Sequence, residues 1–445
     1  MYETNVSHVC ANFVTSTSEE MNLMANADRN ILISGASVAG PALAYWLRRH
    51  GFNVTIVERA PAPRSGGQAI DLRGTARAVV ERMGVMDDVR RAHTGTHGMS
   101  VVNSAGKRLV SMGSDTMNGS GGLIAEIEIL RGDLVRIFYE ATRNDVEYLF
   151  DDSITDISQD GTGAHVTFEQ SEPRTFDLVI GADGLHSNVR RLVFGDEAEF
   201  TRDMGCYVAI FSAPNAYHLD GWELFYRMPG ARRTLGKSVG LYPVRNNTEV
   251  RAMFYFALPH QRVDRHDSAR QKQILAEIFA GEGWEIPRLL DAMWNAPEFY
   301  FDQIAQVRMD RWSNGRVALL GDAAYCPSPM SGMGTSLALV GAYVLAGELA
   351  TAGGDYTTAY AQYQRELAEA VRQAQKFADG AHGFLLPKSR AQAWMVNQAM
   401  GMMEHWPLKT LMSSGVEKSA NAVTLKEYPV PASAVSALGR YYPPT

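Results

Sequence analysis

The chain has 445 residues, a formal net charge of −7 at pH 7, 46% hydrophobic and 20% charged residues, so it has room for two or three domains with ample core. The acidic balance argues against nucleic acid as a partner. Cys10, Cys206 and Cys326 are too few and too scattered for a disulfide framework or a metal site, which suits a reducing, cytoplasmic setting with no metal.

Residues 1–28 contain Glu19-Glu20, several Asn and Ser and no apolar block. They read as a disordered tail, not a signal peptide, and Met21 or Met24 is an alternative start. Arg29-Asn30-Ile31-Leu32-Ile33-Ser34 is an apolar run ending at Gly35, as a buried parallel strand does. Pro41 to Arg49 carries apolar residues at helical spacing until Gly51, and Phe52 to Val57 resumes as a second strand. This βαβ unit turns on Gly35-Ala36-Ser37-Val38-Ala39-Gly40, which aims a helix N-terminus at a pyrophosphate. Glu58, followed by Arg59, stands at the strand tip where a ribose is held. Ser37 occupies the usual place of the second Gly, which narrows the turn and adds a hydroxyl.

Further along, Phe176 to Gly184 is a strand entering the tight turn Gly181-Ala182-Asp183-Gly184, and a helix follows with Ser187 as N-cap. Residues 201–301 hold alternating runs such as Glu223-Leu224-Phe225-Tyr226-Arg227 and Arg251-Ala252-Met253-Phe254-Tyr255-Phe256, broken by turn residues. They predict an antiparallel sheet with an aromatic face, to which Val101 and Val102 contribute. Arg316 to Asp322 is another apolar strand ending in Gly321-Asp322, where the acid can hold a sugar hydroxyl of a ribityl chain. Pro329 and Ser331-Gly332-Met333-Gly334 then open a helix from Thr335 to Leu349, whose N–H groups favour negative charge on an isoalloxazine. A nicotinamide-only fold has no use for the second and third turns, so the three together describe one flavin. Leu337 to Leu349 is short, rich in Gly and Ala and interrupted by Glu348, which fits a buried helix better than a membrane span. Pro387 to Met403, with Trp394, Met395, Met400, Met402 and Met403, is either core packing or an adaptable cap.

These residues resemble the group A FAD-dependent monooxygenases of the para-hydroxybenzoate hydroxylase fold, from about Asn30 to Gly380. Within that group the chain is similar to the tetracycline-inactivating and polyketide-hydroxylating branch. The resemblance implies an α/β protein: a Rossmann-type, glutathione-reductase-like FAD domain with an inserted antiparallel-sheet substrate domain and C-terminal helices. The domains are then residues 29–98, 122–200 and 302–380 for FAD, 99–121 and 201–301 for substrate, and 381–445 for a helical cap and tail. Arg64 and Asp71, around Gly66-Gly67, match the branch's segment beside the flavin ring. Arg131 matches an arginine that leads a helix and reaches FAD, Asp183 the turn shared by FAD and NADPH, and Asp322 the ribityl contact. The implied cofactor set is Gly35, Ser37, Val38, Ala39, Gly40, Glu58, Arg59, Arg64, Asp71, Arg131, Asp183, Gly184, Gly321, Asp322, Pro329, Gly332, Met333 and Gly334. Tyr325 and Met333 depart from the family's usual His and Gln.

By the same resemblance, FAD reduced by NADPH or NADH reacts with dioxygen, and the resulting C4a-hydroperoxide hydroxylates a polycyclic phenol or enol of tetracycline or polyketide type. A simpler phenol, or reduction of an isoprenoid double bond, is the alternative. A monomer or weak homodimer is expected, without membrane or nucleic-acid partners. No catalytic acid or base is required. His186, His218 and His260 could deprotonate a phenol or be ordinary surface or core histidines. Arg227, Arg232 and Arg233 could meet an anionic substrate or be solvated strand-edge charges. Gly283-Trp284-Glu285-Ile286-Pro287 resembles the end of a flavin-halogenase signature, but Glu282 stands where its first Trp is required.

Overall fold

The computed structural model describes residues 26, 28–64, 66–113, 127–217, 219–230, 234–258, 263–353, 355–402 and 421–428. Most of the expected N-terminal tail, His218, His260, Arg232, Arg233 and Met403 lie outside them. Asn26 departs from the tail expectation: it is buried, and its side-chain amide donates to the His50 carbonyl at 3.0 Å.

Strands that are apolar on both faces build the first sheet, in the order β17 (Ser313–Asn314), β18 (Val317–Leu319), β11 (Leu178–Gly181), β1 (Asn30–Ser34), β2 (Asn53–Glu58), β7 (Glu147–Phe150). All neighbours are parallel except β17 and β18. Such a sheet needs cover on both sides. Helices α1 (Ala39–Arg49) and α10 (Gly334–Thr351) pack together on it, and α10 also meets α2 (Thr75–Arg82) and α11 (Tyr356–Gly380). Length and composition alone would let α10 cross a membrane, but 78% of it is buried inside the protein. A three-stranded sheet, β10 (Arg174–Phe176), β9 (Ala164–Phe168), β8 (Ile154–Gln159), adds Ala164, Val166 and Phe168 to the same core. The ribbon of β3 (Ala69–Asp71) and β6 (Glu128–Leu130) leads into α4 (Arg131–Thr142), while α3 (Met86–Arg91) follows α2.

The seven-stranded second sheet runs β16 (Phe299–Val307), β12 (Thr201–Pro214), β15 (Glu249–Phe256), β14 (Lys237–Val244), β13 (Trp222–Met228), β4 (Gly98–Val102), β5 (Arg108–Gly113). Every pair is antiparallel except β13 with β4. The period-two alternation divides its residues. Tyr207, Phe211, Val239, Phe254 and Phe256 face α7 (Ser268–Phe279) and α8 (Ile286–Trp294). Val208, Ile210, Met253 and Tyr255 face Met330, α11 and α12 (His382–Leu385). The boundaries drawn at 98/99 and 301/302 both fall inside strands of this sheet, β4 and β16, because each strand continues the ladder across the junction.

The C-terminal segment divides. Helix α13 (Arg390–Met402) lies beside β5. Met400 is buried, whereas Trp394, Met395 and Met402 are 63%, 55% and 47% accessible, so core packing does not account for the Met-rich helix. Residues 421–428 return to the flavin half instead of continuing a cap. Val423 is buried there, and Glu348 on α10 accepts from Lys426 Nζ at 2.8 Å and Tyr428 Oη at 2.7 Å.

Candidate functional site

The parallel strands β1, β11 and β18 are neighbours, so the glycine turns at their C-terminal ends meet at one edge of the sheet. Their approach excludes side chains. Gly35 has φ +107, and a Cβ there would lie 2.6 Å from the Ala182 carbonyl oxygen. A Cβ on Gly40 would lie 1.9 Å from the Gly35 carbonyl oxygen, which fixes the turn against the first turn of α1. At Gly321, φ +65, a Cβ would sit 3.5 Å from Ala39 Cβ and 3.4 Å from Ala338 Cβ; at Gly334 it would sit 3.6 Å from Asp322 Oδ1. The three motifs therefore form one wall.

Within it, α1 begins at Val38 without a side-chain cap and without an acid in its first turn. An uncapped helix start with free N–H groups suits an anion. Ser37 is the accessible residue of that turn. Glu58 accepts from the Ala36 amide at 2.8 Å and the Ala60 amide at 2.9 Å, and its carboxylate lies 3.5 Å from Arg64 Nη2. It braces the turn, while Arg59 points to solvent. Asp183 accepts from Ser187 Oγ at 2.5 Å and from the Val189 amide at 3.0 Å. Its carboxylate thus ties the β11 turn to α5 (Asn188–Val193), whose N-cap is Ser187, and burial raises its pKa. Gly184, φ +81, faces open space. Arg190 on α5 is fully buried and donates to the Ala323 carbonyl at 2.8 Å and the Leu185 carbonyl at 2.6 Å. It locks α9 (Asp322–Tyr325) to that turn.

At the other end of the wall, Gly66 and Gly67, with φ +121 and +101, pass between Glu298 and Arg131. A Cβ on Gly66 would lie 2.2 Å from Glu298 carboxylate oxygens, and one on Gly67 would lie 2.8 Å from Arg131 Nε. Burial lowers the Arg131 pKa, opposed by Tyr300, Asp322 and Glu298. Asp322 keeps accessible surface, yet burial among its neighbours raises its pKa, against Cys326 and Arg131. A carboxylate both reachable and embedded marks a cleft wall. Pro329 and Gly332 are accessible on the same wall, whereas Met333 is buried beneath it. Ser328 holds the strained φ +84, and its Oγ accepts from the Met330 amide at 3.2 Å. Tyr325 turns into the core, where its hydroxyl lies 3.1 Å from that of Tyr363, and burial pushes it up to about 12. Burial likewise pushes the Cys326 thiol well up, so it is inert.

Four participants were invisible in the sequence. Glu298 pairs at 3.0 Å with Arg251, which is 2% accessible on β15. Tyr300 donates to Asp302 at 3.0 Å, and burial raises its pKa despite an accessible ring face. No local spacing marks these residues, because their partners come from the glycine pair and the second sheet. Asp71 accepts from Arg73 at 2.6 Å and lies beside Glu128 and Glu223, whose carboxyls share a hydrogen bond between β6 and β13. Burial raises both, followed by the Asp71 charge at Glu128 and the Glu128 charge at Glu223. His186 lies 3.0 Å from both Glu197 and Asp302. Those hydrogen bonds, Asp302 first, raise it to about 9. A protonated imidazole has no lone pair to offer, so His186 is not a phenol base at neutral pH.

Fold and site together define a flavin-dependent monooxygenase. The chain belongs to the FAD binding domain family, whose model matches residues 28–378. It is 49% identical over 402 residues to the uncharacterized protein Rv1260 of Mycobacterium tuberculosis (strain ATCC 25618 / H37Rv), covering 90% of this chain and 100% of the relative. It is 40% identical over 348 residues to a flavin-dependent monooxygenase of Legionella longbeachae, covering 78% and 87%. The crystal structure of tetracycline destructase Tet(55) superposes with a TM-score of 0.77 at 38% identity, covering 90% of this chain and 99% of that one.

Two measurements follow from this geometry. Gly35→Ala should weaken FAD binding by about tenfold or more, since the Cβ collides with backbone and cannot be accommodated by a rotamer change; fluorescence titration of the apoprotein reads it. His186 has a folded-state pKa raised from 6.5 to about 9. Its stabilisation is complete below 6.5 and lost as pH rises through 9. The thermal midpoint should therefore fall over that window, and His186→Gln should flatten the fall.

Proposed function

We propose that this enzyme uses NADPH or NADH and dioxygen to hydroxylate a polycyclic phenolic or enolic molecule of tetracycline or aromatic-polyketide type. In this reading the uncapped start of α1 holds the FAD pyrophosphate, Glu58 the ribose and Asp322 the ribityl chain. Arg131, the Gly66-Gly67 segment and the start of α10 flank the ring. The bound flavin would supply oxygen activation; the chain's own residues bind, orient and exclude water.

One observation carries the substrate reading. Met330, in the loop between Asp322 and α10, belongs to the same apolar cluster as Val208, Ile210, Met253 and Tyr255 on the second sheet. An apolar sheet face packed directly against the loop that would flank the flavin suits a flat, fused-ring molecule beside it and retards loss of activated oxygen to water. In this reading Arg131, beside Gly67, would stabilise negative charge on a reduced ring. No side chain is needed to take a proton from a substrate whose hydroxyl is already acidic. The similarity to Tet(55) supports the tetracycline branch.

The test is to follow NADPH and oxygen consumption by the FAD-loaded protein with and without tetracycline, together with mass spectrometry of the tetracycline. Faster NADPH oxidation with tetracycline and a product carrying one added oxygen are expected. NADPH oxidation without oxygen uptake would make the enzyme a reductase; peroxide formation indifferent to tetracycline would remove this substrate branch.

A further inference from the structure

Arg227 was open between a solvated strand-edge charge and a substrate contact, and the first possibility is excluded because the residue is 6% accessible. It sits on the face of β13 that carries Glu223 and Phe225, towards the C-terminal helices and away from α7 and α8. Its guanidinium lies 4.3 Å from the centroid of Phe384 on α12 and 5.5 Å from that of Phe225. Nη1 donates to Asn397 Oδ1 at 2.6 Å and Nη2 to Met400 Sδ at 3.3 Å, both on α13. Every one of these partners is neutral. Among the described residues no carboxylate pairs with Arg227, and its buried Nε has no acceptor. Burial is the sole influence on its pKa, lowering it to about 10, so it remains a cation.

A second orphan stands beside it. Ser238 on β14 is the register partner of Arg227, fully buried, with an Oγ that has no partner among the described residues. Directly opposed residues of an antiparallel pair carry Cβ atoms about 5 Å apart, so the two groups share one spot. The same row continues to Tyr255, which belongs to the apolar lining that meets Met330. A buried cation held only by neutral acceptors and rings is costly unless an anion joins it, and the cation–π contacts that a structural clamp between sheet and α13 draws from the charge leave Nε without an acceptor.

We propose that Arg227 and Ser238 form the binding site for an acidic group of the substrate, so that the substrate is an aromatic organic anion bearing a carboxylate or ionised enol remote from the carbon that is oxidised. This rests on the oxygenase reading above and narrows its substrate class. Arg227 Nε–H and the Ser238 hydroxyl donate to the anion, Phe225 and Phe384 hold the guanidinium by cation–π contact, and Asn397 keeps its plane in place from α13.

The test measures binding alone, by the change in flavin absorbance when the FAD-loaded enzyme is titrated with 1-hydroxy-2-naphthoate and with its neutral isostere 1-hydroxy-2-naphthamide. The carboxylate should bind about tenfold or more tightly than the amide, the scale of hydrogen bonds to a charged group. Arg227→Met should bring the two affinities to within about twofold, and Arg227→Lys should restore part of the preference. Should Arg227→Met lose flavin or fold, Ser238→Ala replaces it, with weakened carboxylate binding and unchanged amide binding expected. Equal affinities in the wild type, binding of neither compound, or a preference that survives Arg227→Met would overturn the proposal. Failure of the oxygenase reading shows separately, in oxygen uptake and product mass, and leaves this binding result intact.

Discussion

Everything at this site depends on backbone pressed against backbone. The Gly35 turn can approach the Ala182 carbonyl, and Gly40 the Gly35 carbonyl, because neither glycine carries a Cβ. That approach brings the start of α1 to the ends of β11 and β18, and Gly321 completes the contact through Ala39 and Ala338. A side chain at Gly35 or Gly40 would collide with backbone and separate the helix start from the strand ends. The uncapped end of α1, the acid at Asp322 and the first turn of α10 would then no longer share a wall.

Around that wall the protein places its buried charges. Arg190 and Arg251 are almost fully enclosed, and Arg131 is heavily desolvated, yet each has a defined task at a junction. Arg190 holds α9 to the β11 turn, Arg251 pairs with Glu298 behind Gly66, and Arg131 faces Asp322. The carboxyls of Glu128 and Glu223, both raised in pKa by burial, lie where the β3 and β6 ribbon meets β13. Buried ionic groups rarely add net stability; here they join the flavin half to the second sheet and give the cleft its polarity. The remote faces of both sheets, in contrast, are packed with ordinary aliphatic and aromatic cores.

The parts legible in the sequence are those whose physics is local. A two-sided apolar strand followed by glycines and an uncapped helix can be read from a dozen residues, as at Ile31 to Gly40, and Ser187 as N-cap was equally plain. Alternation located the second sheet, though not its limits: β4 and β16 run through the boundaries drawn for them because strand pairing ignores motif edges. The charge pairs were hidden for a different reason. Arg251 with Glu298, or His186 with Asp302, become neighbours only through the topology, and neither residue's local context differs from a surface charge. The same ambiguity left the Met-rich helix open between core packing and a cap, and its apolar residues mostly face outward; the segment from Asn421, uninformative as sequence, is anchored by Glu348.

The central claim is that three distant turns hold one flavin, and a crystal structure of the FAD-loaded protein tests it most directly. The account predicts the pyrophosphate at the start of α1 and the ring system between Gly66-Gly67 and the loop from Pro329 to Gly334, with Asp322 along the ribityl chain. A flavin seated away from either the α1 start or the Asp322 turn would contradict it.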